Sequence, residues 1–563
     1  MSSAAERLAE EAPSLRAPDE VMRLARMGAS FPTRLSFLRT LLRRLAAEEA
    51  SVRRVVWDMD DKGFGDAVYA LRLGGHEYSL VAFSTPLADD QRSDRVIAEA
   101  WDTSFVLYDS IPDATEIGRL RANAPRQEAG RFGPRDLVLS RANKSVRFFA
   151  HVVESLSAGR QPDRERLAEV GYLLRTTAVY GNGKFGIADR AVLAGRAGLD
   201  GPFQAEMLTV WLIREFSHDL VEHVARRRAP DRFVPLAPEL RRHVGVGNST
   251  GLGMAPFLVN HPVLLNNWVL ARETALLNVR SKPGLDAREM ARLASLWRQA
   301  VQHLEQWSVE DASLMTRIVR LRAEWAAAEG WFAPAALAAT PFPVSALIER
   351  SQALSLDFQE LLVALVIEMA GAENDALAEG MSVMQETVFQ PAMSLAVLAD
   401  ALRSHYGWAM AVSFEEPAET AQFWYVSEEK LEPRLGRRRE EPGAELEMPL
   451  DIARQVQRLG ADLAGRPPSE TVAAFLARFP QHRHAVCRVQ AIMDAPYMEI
   501  RDNLLSERCL PIDMLRCKLA FFGASKFDPR SDRWTRITLF QGAPTAGEIA
   551  AGETDDCWLP VLR

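Results

Sequence analysis

An α+β fold in which helices predominate is what this 563-residue sequence implies. Leu35, Leu38, Leu41, Leu42 and Leu45 recur at helical spacing near the N-terminus, between arginines. From Arg54 to Tyr108, short β-prone runs alternate with turn signals such as DDKGFGD and RLGGHE. Beyond residue 137 the period is again mostly that of a helix. These observations give an N-terminal antiparallel sheet, a central helical block with two Gly-rich loops, and a C-terminal α+β region. The expected divisions fall at 1–135, 136–330 and 331–563.

The elements follow in order. Residues 1–50 read as two helices. Arg54 to Trp57, Ala67 to Leu73, Tyr78 to Phe83, Asp94 to Ala98 and Phe105 to Tyr108 read as strands of an antiparallel meander. Val146 to Leu156, Phe203 to Val224 and Asp286 to Trp325 carry helical spacing. The Ala- and Pro-rich stretch 329–345 is the expected boundary, although it is too apolar for a solvated linker. After Ser351 come a buried helix, a helix at Leu395 to Ser404, strands at Trp408 to Phe414 and Phe423 to Val426, and a charged loop, KLEPRLGRRREEPGAE. Two fragment pairs hint at duplication: AGRQPD with AGRPPS, and WDTSFVLYD with WAMAVSFEE.

Composition narrows the function. Lys and Arg number 67 against 75 Asp and Glu, a formal charge of -8. Such a balance argues against a nucleic-acid protein, which needs a surplus of cations on one face. Mean hydropathy is -0.12. The longest apolar run, Leu361 to Ile367, is far too short to span a bilayer, so no membrane partner is expected. The first twenty residues lack the apolar core of a secretory signal. Cys487, Cys509, Cys517 and Cys557 form no CxxC pair, which fits buried thiols in a reducing cytoplasm.

Two glycine-rich segments attract attention as anion-binding loops. In the first, Gly245, Gly247, Gly251 and Gly253 surround Asn248, Ser249 and Thr250, with His261 just beyond. Successive amide N–H groups in such a loop can cradle a phosphate or carboxylate, and the hydroxyl and amide side chains add donors. The spacing fits neither a dinucleotide fingerprint nor a P-loop. A tight connection between helices is the structural alternative. The second segment, Tyr180, Gly181, Asn182, Gly183 and Lys184, repeats the recipe and adds a cation able to pair with an anion or donate a proton. Asn-Gly is equally a hairpin-turn dipeptide.

Between them, Glu215, His218 and Glu222 share one face of the helix at 203–224 as an ExxHxxxE stripe. Two carboxylates around an imidazole can tune a general base or ligate a metal. The ligand set is only partial, with His223, His243 and His261 the nearest additions, so no functional metal is expected. A salt-bridged polar stripe facing Arg214 is the simpler reading. Asp58, Asp60 and Asp61 resemble a calcium loop in composition but have hairpin-turn spacing. Near the C-terminus, Asp494 to Asn503 is dense in hydrogen-bonding groups, and Lys518, Lys526, Arg530, Arg533, Trp534 and Arg536 form a basic cluster that either seats an anion or balances the acidic surplus.

The expectation that joins these features is a cytoplasmic enzyme acting by acid–base chemistry on a small anionic metabolite. The two loops would hold the anion, and His218, Glu215, Glu222 and Lys184 would move protons. The sequence names no cofactor. The alternative is a non-catalytic scaffold whose long helices at 286–325 and 353–370 form a homo-oligomeric or partner interface.

Overall fold

The computed structural model describes residues 13–22, 26, 31, 33–86, 103–124, 133–145, 148–181, 193, 195–251, 262–369, 374–381, 389–416, 424–426, 433–435, 449–498, 516, 519–520, 522–530, 534–553 and 559–562. It is a helix-rich α+β fold, as the sequence implies. Strands β1 (Ser51–Met59), β2 (Gly65–Leu73), β3 (His76–Ser84), β4 (Thr103–Asp109) and β5 (Asp136–Lys144) form an antiparallel meander. β6 (Tyr172–Gly181) adds to it antiparallel, and β7 (Gly245–Gly251) lies parallel to β6. Strands β8 (Trp424–Val426) and β9 (Pro433–Leu435) form a separate small hairpin. The chain then returns: β11 (Trp534–Leu539) pairs with β7, and β10 (Lys526–Pro529) is the far edge. The nine-stranded order is β1-β2-β3-β4-β5-β6-β7-β11-β10.

Helices cover this sheet for a simple reason. Alternate residues of the inner strands are apolar on both faces, so both need covering. Tyr69, Leu71, Leu80, Ala82, Phe105 and Leu107 belong to the main core, while Val68, Val81, Phe83, Val106 and Leu139 form a second cluster. Helix α1 (Phe37–Ala47) starts at a Ser36 cap and buries Leu38, Leu41, Leu42 and Leu45. Helix α2 (Ala114–Asn123), capped by Asp113, covers the second face through Leu120. Helices α3 (Phe149–Ser157) and α4 (Arg164–Val170) precede β6. The 25-residue α5 (Gln204–Arg228) crosses the main face, where Phe216 meets the rings of Trp57, Tyr69 and Phe105. Helix α6 (Pro238–His243) leads into β7. Beyond it lie α7 (Pro262–Arg280), α8 (Ala287–Gln306), α9 (Ala312–Ala327), the deeply buried α10 (Leu356–Ile367), α11 (Leu395–Met410) and α12 (Pro449–Leu463).

Several expectations need correction. Gly245 to Gly251 is an inner strand, not a loop between helices, and Thr176 to Gly181 belongs to β6. The block from 137 onward also contains β5. The glycines are explained by what surrounds them. A Cβ on Gly247 would sit 2.6 Å from the ring of Tyr172, and one on Gly245 would meet the Leu539 carbonyl at 2.3 Å. Those neighbours need the space, so the strand gives up the β-branched residues that would have announced it.

Trp408 to Phe414 is not a strand: its first residues finish α11, which packs on α12. The WDTSFVLYD and WAMAVSFEE pair is therefore a strand matched with a helix end. AGRQPD and AGRPPS do share a geometry, since Gly159 and Gly465 both follow a helix with φ near +77° (76° and 78°). A glycine stop of this kind is a common helix ending and accounts for the likeness. The expected strand at 94–98 lies outside the described residues.

Arg214 of α5 joins two distant stretches of the chain. Its Nε donates to Val244 O (2.7 Å), Nη1 to Pro544 O (3.0 Å), and Nη2 to Arg242 O (2.7 Å) and Ala543 O (2.8 Å). Trp211 Nε1 also donates to Pro544 O. The guanidinium is wholly buried.

Two predictions follow from this packing. Replacing Arg214 with Met removes a donor from four carbonyls, of which Pro544 O keeps Trp211 and Arg242 O keeps the Gly542 amide, so the chain should lose about 3–5 kcal/mol of stability in a urea titration. Gly247→Ala should cost about 1–3 kcal/mol and be partly rescued by Tyr172→Leu, which clears the ring. Gly245→Ala meets a backbone carbonyl, and no side-chain trimming should rescue it.

Candidate functional site

The ExxHxxxE helix is buried more deeply than a solvated stripe. His218 is fully buried, and neither ring nitrogen has a hydrogen-bond partner. Burial holds its pKa well below the usual imidazole value, with Arg241 and Arg214 acting in the same direction and the Val244 carbonyl opposing them. Glu215 is buried too, and loss of solvent raises its pKa. Glu222 accepts from the Leu236 amide (3.1 Å) and from Arg241 (3.4 Å). Arg241 also pairs with Asp219 at 3.1 Å. Arg241 is thus the ion-pair partner of Asp219 and Glu222 on this face, while Arg214 and Arg241 both act on Glu215 through their charge. His223 turns away to the β1–β2 turn, accepting from Trp57 Nε1 and bonding Asp60 O. That turn is a hairpin in which Asp60 accepts from the amides of Lys62 and Phe64.

The other expected site residues that the structure describes lie in β6 and β7. Thr176 Oγ1 donates to Gly247 O and accepts from the Asn248 amide side chain, while Arg175 donates to Ser249. These bonds tie β6 to β7. Tyr180, Gly181, Thr250 and Gly251 lie in the same two strands. Asn182, Gly183, Lys184 and His261 lie outside the described residues. Among the described residues no three His, Cys, Asp or Glu side chains are grouped so as to hold a metal ion, and no helix is long and apolar enough to cross a membrane.

A cluster of chemistry-bearing groups forms instead at the sheet edge. Along β10 the side chains alternate: Phe527 enters the core, while Lys526 and Asp528 face a cleft together with Arg530 just beyond. Pro529 is tolerated because an edge strand leaves its missing N–H unneeded. Register places Thr538 opposite Lys526 and Arg536 opposite Asp528. Glu169, Tyr172 and Glu310 complete a small cleft of about 40 Å³, which adjoins a groove of about 440 Å³ that shares Glu169, Glu310, Asp528 and Arg530. A neighbouring hollow shares Lys526 and is lined by His243, His303, Trp307, Gln541 and Pro560.

Local structure sets each group. Helix α4 begins at an Asp163 cap and ends at Gly171 in the left-handed region (φ 75°), leaving carbonyls exposed at its C-terminus. The Lys526 ammonium donates to two of them, Ala168 O (2.6 Å) and Glu169 O. Burial still lowers its pKa to about 8, against the pull of Asp528 and Glu169. Asp528 pairs through Oδ2 with Arg530 (2.8 Å), but its Oδ1 is buried without a partner. Burial raises the Asp528 pKa, with Arg530, Lys526 and Arg536 opposing. Arg530 also bonds Glu310. Arg536 is half-buried, lines the cleft and makes no side-chain hydrogen bond or ion pair among the described residues.

In the adjoining hollow His243 Nε2 accepts from Gln541 (2.8 Å), and His303 Nδ1 donates to Pro560 O (3.2 Å), leaving its Nε2 lone pair unpartnered. Burial lowers the pKa of His243 to about 3, with Lys526 and His303 adding to it, and that of His303 to about 4.

The sequence had marked Lys526, Arg530 and Arg536 as a basic cluster. It missed Asp528, Tyr172 and His303. The one available signal was the alternation of Lys526, Asp528 and Arg530, which places three charged side chains on one face of a strand. Comparison with protein-family models, with curated proteins and with solved structures finds no match.

The buried histidines predict a specific acid response. His218, His243 and His303 remain neutral when folded, whereas in the unfolded chain each takes up a proton near pH 6.5. Stability should therefore fall as pH drops below about 6.5 and continue falling to about 4, by up to about 1.4 kcal/mol per pH unit for each histidine. His218→Gln should reduce that slope by one proton, as read from urea midpoints across pH 4–6.5; an unchanged slope would mean His218 titrates alike in both states.

Proposed function

We propose that this chain is a cytoplasmic enzyme that acts on a small anionic metabolite, bearing a carboxylate or phosphate, in the Lys526 cleft. The observation that carries the reading is Arg536, a guanidinium that lines a cleft and has no protein partner among the described residues. Guanidinium groups suit carboxylate and phosphate because their N–H fork matches two oxygens. The Lys526 ammonium adds positive charge on the same sheet face.

Proton transfer belongs to Asp528 and Lys526 in this reading. Burial moves the carboxylate pKa up and the ammonium pKa down, toward the range in which each can exchange a proton near neutral pH. The reading keeps the ligand class expected from the sequence but moves the chemistry from α5 to the sheet edge. His218 serves there as a packed, neutral core residue.

The test is binding of acetate, inorganic phosphate and larger carboxylates and phosphate esters to the intact chain, followed by thermal shift and calorimetry. At least one should bind, and Arg536→Gln should weaken it about tenfold or more while the unliganded melting temperature stays within a few degrees. Affinity should also fall as pH rises through about 8, where Lys526 loses its charge. Asp528, Glu169, Arg530, His243 and His303 face that ammonium, and the two histidines, with pKa values lowered to about 3 and about 4, are neutral on both sides of the step. Absence of binding by every anion, or binding indifferent to Arg536→Gln, would overturn the reading.

A further inference from the structure

Asp528 and Arg536 stand directly opposite each other on β10 and β11, a position in which opposite charges ordinarily pair. Here they do not. Asp528 turns one oxygen to Arg530 and leaves Oδ1 buried without a partner, and Arg536 has no partner among the described residues. Both line the same cleft, with the Tyr172 side chain and Thr538 beside them. A buried carboxylate oxygen without a donor is costly, and a cation at the opposite register position that fails to satisfy it leaves both groups able to bind something set between them.

We infer that the ligand of this cleft carries a cationic amine as well as an anionic group, the amine donating to Asp528 Oδ1 while the carboxylate or phosphate lies on Arg536. This inference rests on the proposed anion site and narrows its ligand class to amino carboxylates or amino phosphates. The cleft itself matches that polarity, since Glu169, Asp528 and Glu310 balance Lys526, Arg530 and Arg536 on its walls. A simple anion would satisfy Arg536 and leave the Asp528 oxygen as it is. A ligand with both groups satisfies the pair at once.

The experiment compares matched ligands on the full chain. Glycine through 6-aminohexanoate and phosphoethanolamine are titrated beside acetate through hexanoate and ethyl phosphate, by calorimetry and saturation-transfer NMR. At least one amino member should bind about tenfold or more tightly than its amine-free match, the value of a charge-assisted hydrogen bond to a buried group. Asp528→Asn should erase that advantage, so that on this variant no amino ligand binds more tightly than its amine-free match. Whether the tightest member is a carboxylate or the phosphate identifies the anionic end.

Equal affinity within every matched pair would overturn the inference while leaving the broader anion site standing. An advantage that survives Asp528→Asn would overturn it as well. Failure of all members to bind would remove both. The comparison on the unaltered chain decides the question even where a variant fails to fold, and Asp528→Ser provides a second substitution that cannot carry the charge.

Discussion

Everything at the sheet edge depends on the buried guanidinium of Arg214. Four carbonyls from two distant stretches of chain, 242–244 and 543–544, converge on this single group. The cost of burying a cation is offset in part by these hydrogen bonds. Because those carbonyls flank β7 on one side and follow β11 on the other, the arginine fixes the register in which the C-terminal hairpin joins the sheet. The cleft at Lys526 exists only in that register.

The helical half is joined to the N-terminal segment by the same kind of device. Arg16 makes two bonds to Glu273 of α7 (2.7 and 2.5 Å), and Arg272 bridges Glu273 and Glu360 of α10. Arg39 of α1 meets Glu368 at 3.1 Å with both side chains fully buried, and Asp357 holds both Arg317 and Arg516, which keeps its pKa down at about 2. Buried ion pairs add little net stability compared with apolar packing, but an unmatched partner is very unfavourable. In a protein this rich in Leu and Ala, such pairs discriminate among the many ways helices could pack.

How much of this was legible in the sequence follows from period. The meander was legible because alternation in β2, β3 and β4 is a local signal, and α5 was legible because its apolar residues recur every three or four positions. β7 was not, since its glycines answer to Tyr172 and Leu539, residues far away in the chain. α11 runs through Trp408 because tertiary packing on α12 overrides a β-prone local composition. The candidate site was legible only as a patch of positive charge. The partner carboxylate was present in the text of the sequence, but its isolation from Arg536 depends on side-chain direction, which no spacing rule reports.

The C-terminal hairpin also has a consequence for biosynthesis. β7 is complete once residue 251 has been made, yet its neighbour β11 begins at residue 534. At ribosomal speeds that interval is on the order of tens of seconds. Throughout it the nascent sheet presents one unpaired strand, whose N–H and C=O groups could template pairing with another chain. The glycine, asparagine, serine and threonine of β7 make that open strand polar and poorly suited to sticking. A composition that obscured the strand from sequence reading thus protects it while it waits for its partner.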